Sequence, residues 1–274
     1  MGKKTFKRAV SLVIALMMIL SVMQVSFAVT RPEDDILLYK TATLDEDEEN
    51  TYKIQLSVKG KDINTGKKVD VILVIDNSAS MFTSKYNSQT LGKITEEAAK
   101  AFVEGVLTPA NDISGNVRVA IVRYGEQANA RNFTDSGSWS DNWSNSLDLK
   151  NQAVYTSDKA AANKAVEEAT KPTTNEGTNT EGGFLMARKV AEASRSEAEN
   201  IVVFMTDGMP TFRYTGSGSN TTNDTSGSST SRNELNEAID AALGLKADIG
   251  EGGEIYTVAL LNNVKSTSNQ AKLA

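Results

Sequence analysis

The sequence predicts an α/β fold, a doubly wound and mainly parallel sheet flanked by helices, with a cleavable N-terminal signal peptide and an extra N-terminal β-strand. Three observations predict it. An unbroken apolar run, Val71-Ile72-Leu73-Val74-Ile75, has the length and β-branched character of a strand buried on both faces. Two more apolar runs, residues 116–124 and 200–205, are separated from it by stretches of helical period, and strand–helix alternation is the pattern of a parallel sheet. At the N-terminus, Lys3, Lys4, Lys7 and Arg8 precede an apolar stretch over residues 9–25 and then Ser26-Phe27-Ala28.

That opening segment reads as a secretory signal peptide over residues 1–28, with small residues at −3 and −1 before a cut after Ala28. The apolar stretch approaches the length of a bilayer span, so an uncleaved anchor helix is the alternative. In both cases the rest of the chain is exported, and a membrane is involved only through export or anchoring. Residues 29–68 read as a linker and N-terminal β-strand region. The linker, 29–50, ends in the acidic run 45–49, a solvated loop that lacks the Gly and the spacing of a calcium loop. Tyr52, Ile54, Leu56 and Val58 alternate with Lys53, Gln55 and Ser57, the period of a half-buried strand. It belongs either to the edge of the main sheet or to a separate β-domain.

Residues 69–274 read as one α/β domain. After the central strand, residues 90–107 place Leu91, Ile94, Ala98, Ala101, Phe102 and Val106 on one helical stripe. Residues 116–124 form the second strand and 128–133 a short third, antiparallel one. Residues 136–148 have no period and form a loop whose Trp139 and Trp143 either tuck under it or offer an aromatic contact surface. Helices are expected over 159–169 and 181–195, around the polar loop 171–180. Residues 200–205 form a strand ending in Thr206-Asp207-Gly208. The stretch 215–231 is nearly all Gly, Ser, Thr, Asn and Asp, and is expected to be a mobile excursion. A helix over 233–246 and a strand over 254–260 follow, then a weakly helical tail over 264–274. A doubly wound sheet is normally closed by another helix, so the domain is expected to be truncated at its C-terminus.

Composition narrows the function. Loss of the four basic residues of the signal peptide takes the formal charge from −6 to −10, an acidic balance that disfavours nucleic acid as a partner. The chain has no Cys, so it is exported without disulfides, which suits a bacterial surface protein. It also has no His, which removes the usual base of a catalytic triad and the commonest zinc ligand.

The chemistry gathers at two strand ends. Asp76, in Asp76-Asn77-Ser78-Ala79-Ser80, and Asp207 terminate apolar strands at the sheet edge where α/β folds place ligands. The hydroxyls of Ser78, Ser80 and the Gly177-Thr178-Asn179-Thr180 loop are expected nearby. Two unpaired carboxylates repel, and a hard divalent cation relieves that repulsion while hydroxyls and water fill an oxygen octahedron. Mg2+ fits best because it takes few carboxylates and keeps waters; Mn2+ or Ca2+ are the other candidates.

These three strings, in this order after an apolar strand, resemble the metal-ion-dependent adhesion site of von Willebrand factor type A (vWA) domains, over roughly residues 69–260. The resemblance implies that Ser78, Ser80 and Thr178 reach the metal by their hydroxyls, and that Asp76 and Asp207 support it directly or through water. Asn179 and Thr180 do not match ligand positions, and Thr180 is read as the cap of the next helix. The two long loops resemble the insertions of Gram-positive surface and pilus-tip adhesins. The implied function is adhesion or protein recognition at the cell surface or in the secreted state, in which a host or matrix protein offers an Asp or Glu to complete the metal shell. One alternative is a structural module whose metal only stabilises the fold. A remote one is an Asp-dependent phosphohydrolase, but that chemistry wants a second acid where Ser78 stands, and no P-loop lysine is present. The chain is therefore expected not to be an enzyme.

Overall fold

The computed structural model describes residues 26–28, 36–44, 52–60, 67–109, 115–134, 137–172 and 177–260. They fall into two units, one within residues 1–64 and one within 65–274.

The first unit is a three-stranded antiparallel sheet in the order β1–β2–β3, built from β1 (Ser26–Ala28), β2 (Ile36–Leu44) and β3 (Tyr52–Gly60). The strand expected over 52–58 thus pairs along its whole length with β2, Leu44 opposite Tyr52 and Ile36 opposite Gly60, and does not join the main sheet. The stretch read as a linker contains β2, which corrects that expectation: Ile36-Leu37-Leu38-Tyr39 is a strand-forming run whose partner lies across the acidic loop. Residues 1–25 of the expected signal peptide lie outside the described residues, and its last three form β1.

The second unit opens with β4 (Lys68–Asp76), then a single helical turn α1 (Ser80–Thr83) and a small hairpin of β5 (Lys85–Tyr86) and β6 (Gln89–Thr90). Its two-residue turn, Asn87-Ser88, has φ of 48° and 69°, the left-handed pair that suits tight hairpins. Next come α2 (Leu91–Val106), β7 (Val117–Tyr124), β8 (Ala128–Asn132), β9 (Ser138–Trp139), α3 (Lys159–Ala169) and α4 (Thr180–Ala191). The chain continues through β10 (Ala198–Thr206), β11 (Arg213–Tyr214), β12 (Thr221–Thr222), α5 (Arg232–Asp248) and β13 (Glu254–Ala259).

The main sheet has the order β13–β10–β4–β7–β8–β9. Strands β13, β10, β4 and β7 are parallel, and β8 and β9 extend the sheet antiparallel, as expected for residues 128–133. Central position explains the composition of β4: eight of its nine residues are buried, so no alternation survives. Side chains alternate between the two faces. Ile72, Val74, Val122 and Phe204 join one cluster with Met186 and Val190 of α4 and Leu245 of α5. The intervening Val71, Leu73 and Ile75 point to the opposite face and are buried there as well.

Helix α2 buries Leu91, Thr95, Ala99, Val103 and Val106, whereas Ala98 and Ala101 of the expected stripe are exposed. The buried face is rotated by about one residue because Thr95 can enter it: its hydroxyl donates to the Leu91 carbonyl at 2.9 Å, leaving only its methyl to pack. Helix α4 ends at Ala191, four residues before the expected end. The tail 264–274 lies outside the described residues. Among the described residues no helix is long and apolar enough to cross a membrane.

Candidate metal centre

Strand β4 carries Asp76 to the end of the sheet between β7 and β10, where Tyr124 is its register partner. The carboxylate is 1% exposed. Its Oδ1 accepts the Ser78 backbone N–H at 2.8 Å, and its Oδ2 accepts the hydroxyls of Thr206 at 2.8 Å and Tyr124 at 3.3 Å. The turn after Asp76 is fixed by Asn77, which is fully buried: its backbone N–H donates to the Tyr124 carbonyl at 2.6 Å and its amide to the carbonyls of Ala169 and Lys171.

The hydroxyls of Ser78 and Ser80 lie 3.0 Å apart, and Ser80 Oγ donates to Asp207 Oδ1 at 2.8 Å. Asp76, Ser78, Ser80 and Asp207 therefore form one hydrogen-bonded chain across the tips of β4 and β10. Thr178, from the loop before α4, shares a cavity of about 630 Å3 with Ser80, Thr206 and Asp207. The structure thus gathers the five expected residues on two levels. Ser80, Thr178 and Asp207 line the cavity, and Asp76 and Ser78, each 1% exposed, are buried behind them.

The electrostatics of this arrangement oppose two free charges. Burial pushes the Asp76 carboxyl above its ordinary range despite the hydrogen bonds from Ser78, Thr206 and Tyr124. Burial and the neighbouring Asp76 charge push Asp207 up to about 7. Tyr124 is held neutral by burial and by the same carboxylate. Among the described residues, no group of three or more His, Cys, Asp or Glu side chains is placed to hold a metal. Two carboxylates with three hydroxyls is nonetheless a donor set that suits a small hard cation, which is commonly held by one or two carboxylates and keeps several waters. The residues fit the ion: it would replace the proton that burial otherwise favours on these carboxylates.

The cap of α4 corrects one expectation. Asn179, not Thr180, is the N-cap: its Oδ1 accepts the Gly182 N–H at 2.9 Å, and its Nδ2 donates to the Glu126 carbonyl at 3.1 Å. The excursion corrects another. Residues 215–231 are tied down by their own polar groups: β11 pairs with β12, and Asp224 accepts from Arg213, Ser231 and Asn233. Buried Glu234 receives the Asp224 and Ser231 N–H groups, both at 2.7 Å, closing a capping box on α5. Trp143 is buried, its ring 4.5 Å from that of Tyr214, which settles it as a residue tucked under its loop. Trp139 is half-buried beneath the Arg123 guanidinium, 4.1 Å away.

Sequence reasoning missed Thr206 and Tyr124, the hydroxyls that hold Asp76. Thr206 was legible in part, because it stands immediately before Asp207. Tyr124 had no local signal, since only strand register brings it beside Asp76.

Residues 71–209, just over half of the 274, match the family model described as the von Willebrand factor type A domain. Among solved structures, the vWF domain of the type V pili tip protein Mfa5 from Porphyromonas gingivalis is similar at 27% identity and a TM-score of 0.38, over 54% of this chain and 40% of that one. The pilus adhesin SpaC from Lactobacillus rhamnosus GG, in its open conformation, is similar at 20% identity and a TM-score of 0.45, over 85% of this chain and 29% of that one. Proximal thread matrix protein 1 from the mussel byssus, solved with a zinc-occupied MIDAS motif, is similar at 16% identity and a TM-score of 0.40, over 70% and 38%. The chain spans less than half the length of each of these three. Comparison with curated proteins gives no match. On the family match over residues 71–209, and with a mainly parallel six-stranded α/β sheet, this chain belongs to the von Willebrand factor type A family.

Proposed function

We propose that this chain is an exported adhesion or protein-recognition module of the bacterial cell surface. Its hydroxyls Ser78, Ser80 and Thr178 hold a divalent cation, with Asp76 and Asp207 in support directly or through water. A carboxylate from a protein partner completes the shell. When bound, the cation supplies a Lewis-acidic position for that oxygen. Magnesium suits the two-carboxylate donor set best. The observation that carries this reading is the chain Asp76–Ser78–Ser80–Asp207, hydrogen-bonded across two strand tips and opening into a cavity. Three hydroxyls neutralise no charge, so the ion keeps its affinity for an incoming carboxylate. Catalysis has no support, because Ser78 stands where an aspartyl phosphohydrolase places its second acid.

The cavity-facing residues are the ones to change. Loss of the Asp76 carboxylate would remove an acceptor from the buried Tyr124 hydroxyl and from half-buried Thr206, and confound binding with folding. Capture of matrix proteins should require magnesium, disappear in EDTA, and be lost in Ser80→Ala and Asp207→Asn. Capture that survives both EDTA and the two substitutions would exclude the adhesion site. Magnesium binding that stabilises the chain without any effect on capture would assign the metal a structural role.

A further inference from the structure

We propose that Phe212, which lies outside the five-residue set, is a positioning residue for the Thr178 hydroxyl; this rests on the metal reading above. Both backbone polar groups of Thr178 are held by the pair Thr211-Phe212. The Thr178 carbonyl accepts the N–H groups of Thr211 at 2.8 Å and Phe212 at 3.1 Å, and the Thr178 N–H donates to Thr211 Oγ1 at 3.0 Å. The Phe212 ring then fills the space on which that geometry depends. A Cβ placed on Gly177 would lie 2.1 Å from Phe212 Cδ2, and one placed on Gly227 would lie 2.7 Å from Cε2. The ring is therefore wedged between the backbone that leads into Thr178 and the turn at Gly227, whose φ is +75°.

An octahedral magnesium site tolerates little displacement of an oxygen donor, so the residue that fixes Thr178 acts on the ion without touching it. The ring also joins the site to the excursion, because Gly227 lies within that stretch. Phe212 leads directly into β11, whose Tyr214 ring packs on Trp143 and whose N–H donates to Glu181 at 2.7 Å. A partner that contacts residues 213–231 thus has a route to the donor set in which this side chain takes part.

The test is a double-mutant cycle on the full chain, with the magnesium dissociation constant read by calorimetry. Phe212→Ala should weaken magnesium binding about tenfold or more, the usual scale for groups that orient metal ligands. In a Thr178→Ala background the same change should cost no more than about twofold, because the hydroxyl it positions is gone. Phe212→Leu, which keeps atoms against Gly177 but no longer reaches Gly227, should restore most of the affinity. An unchanged affinity in Phe212→Ala, or an equal loss in both backgrounds, would overturn the proposal. Should Phe212→Ala fail to fold, Phe212→Val, which removes the ring but keeps a branched apolar side chain, runs the same cycle, and an equal loss in both backgrounds overturns the proposal there too. A wild-type chain that takes up no magnesium overturns the metal reading and this proposal with it, whereas wild-type uptake with an unaffected variant overturns this proposal alone.

Discussion

Replacing Asp70 by Asn should destabilise the second unit by about 3 kcal/mol at neutral pH, the lower end of the cost of breaking a buried ion pair. Asp70 lies near the start of β4, the strand that ends in Asp76, and is 0% exposed. Its Oδ1 accepts from Arg118 Nε at 3.0 Å and from Arg195 Nε and Nη2 at 3.1 and 2.7 Å. Its Oδ2 accepts from Arg118 Nη2 at 2.7 Å and the Arg195 N–H at 2.9 Å. Arg195 in turn reaches the carbonyls of Gly115 and Asn116 at 2.7 and 2.8 Å, so the carboxylate centres a clasp around the lower edge of the sheet. Asn offers one acceptor oxygen and no charge, and leaves two guanidinium groups poorly matched. Their side chains are 27% and 17% exposed, and water recovers part of the loss, which favours the lower figure.

The pH dependence follows with a definite sign. Burial alone would raise the Asp70 pKa, but the hydrogen bonds and charges of Arg118 and Arg195 outweigh it and hold the group below its ordinary 3.8. Its contribution is therefore complete above 3.8 and is lost as pH falls through the lower folded value. Urea denaturation of wild type and Asp70→Asn should show a constant gap from neutral pH down to about 5, closing below about 4. A gap under about 1 kcal/mol at pH 7, or one that widens in acid, would show that the Asp70 carboxylate does not stabilise the fold through Arg118 and Arg195.

Magnesium at a hundredfold excess over its dissociation constant should stabilise the chain by about 2.7 kcal/mol, or roughly 5–10 °C in melting temperature for a domain of this size, and EDTA should reverse it. No shift at millimolar magnesium would count against a metal centre. Asn179→Ala should cost about 1–2 kcal/mol through loss of the α4 cap. Thr180→Ala should cost far less, because its buried Oγ1 has no hydrogen-bond partner among the described residues; the reverse order would restore Thr180 as the cap.

What the sequence made legible was whatever hydropathy and local spacing encode. The run Val71 to Ile75 declares a buried central strand, and Asp76, Ser78 and Ser80 follow it so closely that backbone geometry alone holds them together. Thr178 and Asp207 are joined to them by topology, and the parallel order of β4 and β10 was itself readable from strand–helix alternation. The excursion was misread because its order comes from polar side chains bonding to nearby backbone and to each other, as Asp224 and Glu234 do, which no hydropathy pattern registers. The cap was misassigned by one residue because Asn179 and Thr180 are both competent cap residue types, and it is the folded loop, with Asn179 bonded to both Gly182 and Glu126, that distinguishes them. Strand β2 went unread because its partner lies beyond an acidic loop, and a lone strand carries little signal without its neighbour.

The central claim is most directly tested by a crystal structure of the chain grown with Mn2+, which stands in for Mg2+ and scatters anomalously. One anomalous peak is expected at the tips of β4 and β10, about 2.0–2.3 Å from the hydroxyl oxygens of Ser78, Ser80 and Thr178, with Asp76 and Asp207 bound directly or through water and a remaining position facing the cavity. A peak located elsewhere, or no peak at millimolar Mn2+ with the Ser80–Asp207 hydrogen bond intact, would contradict it.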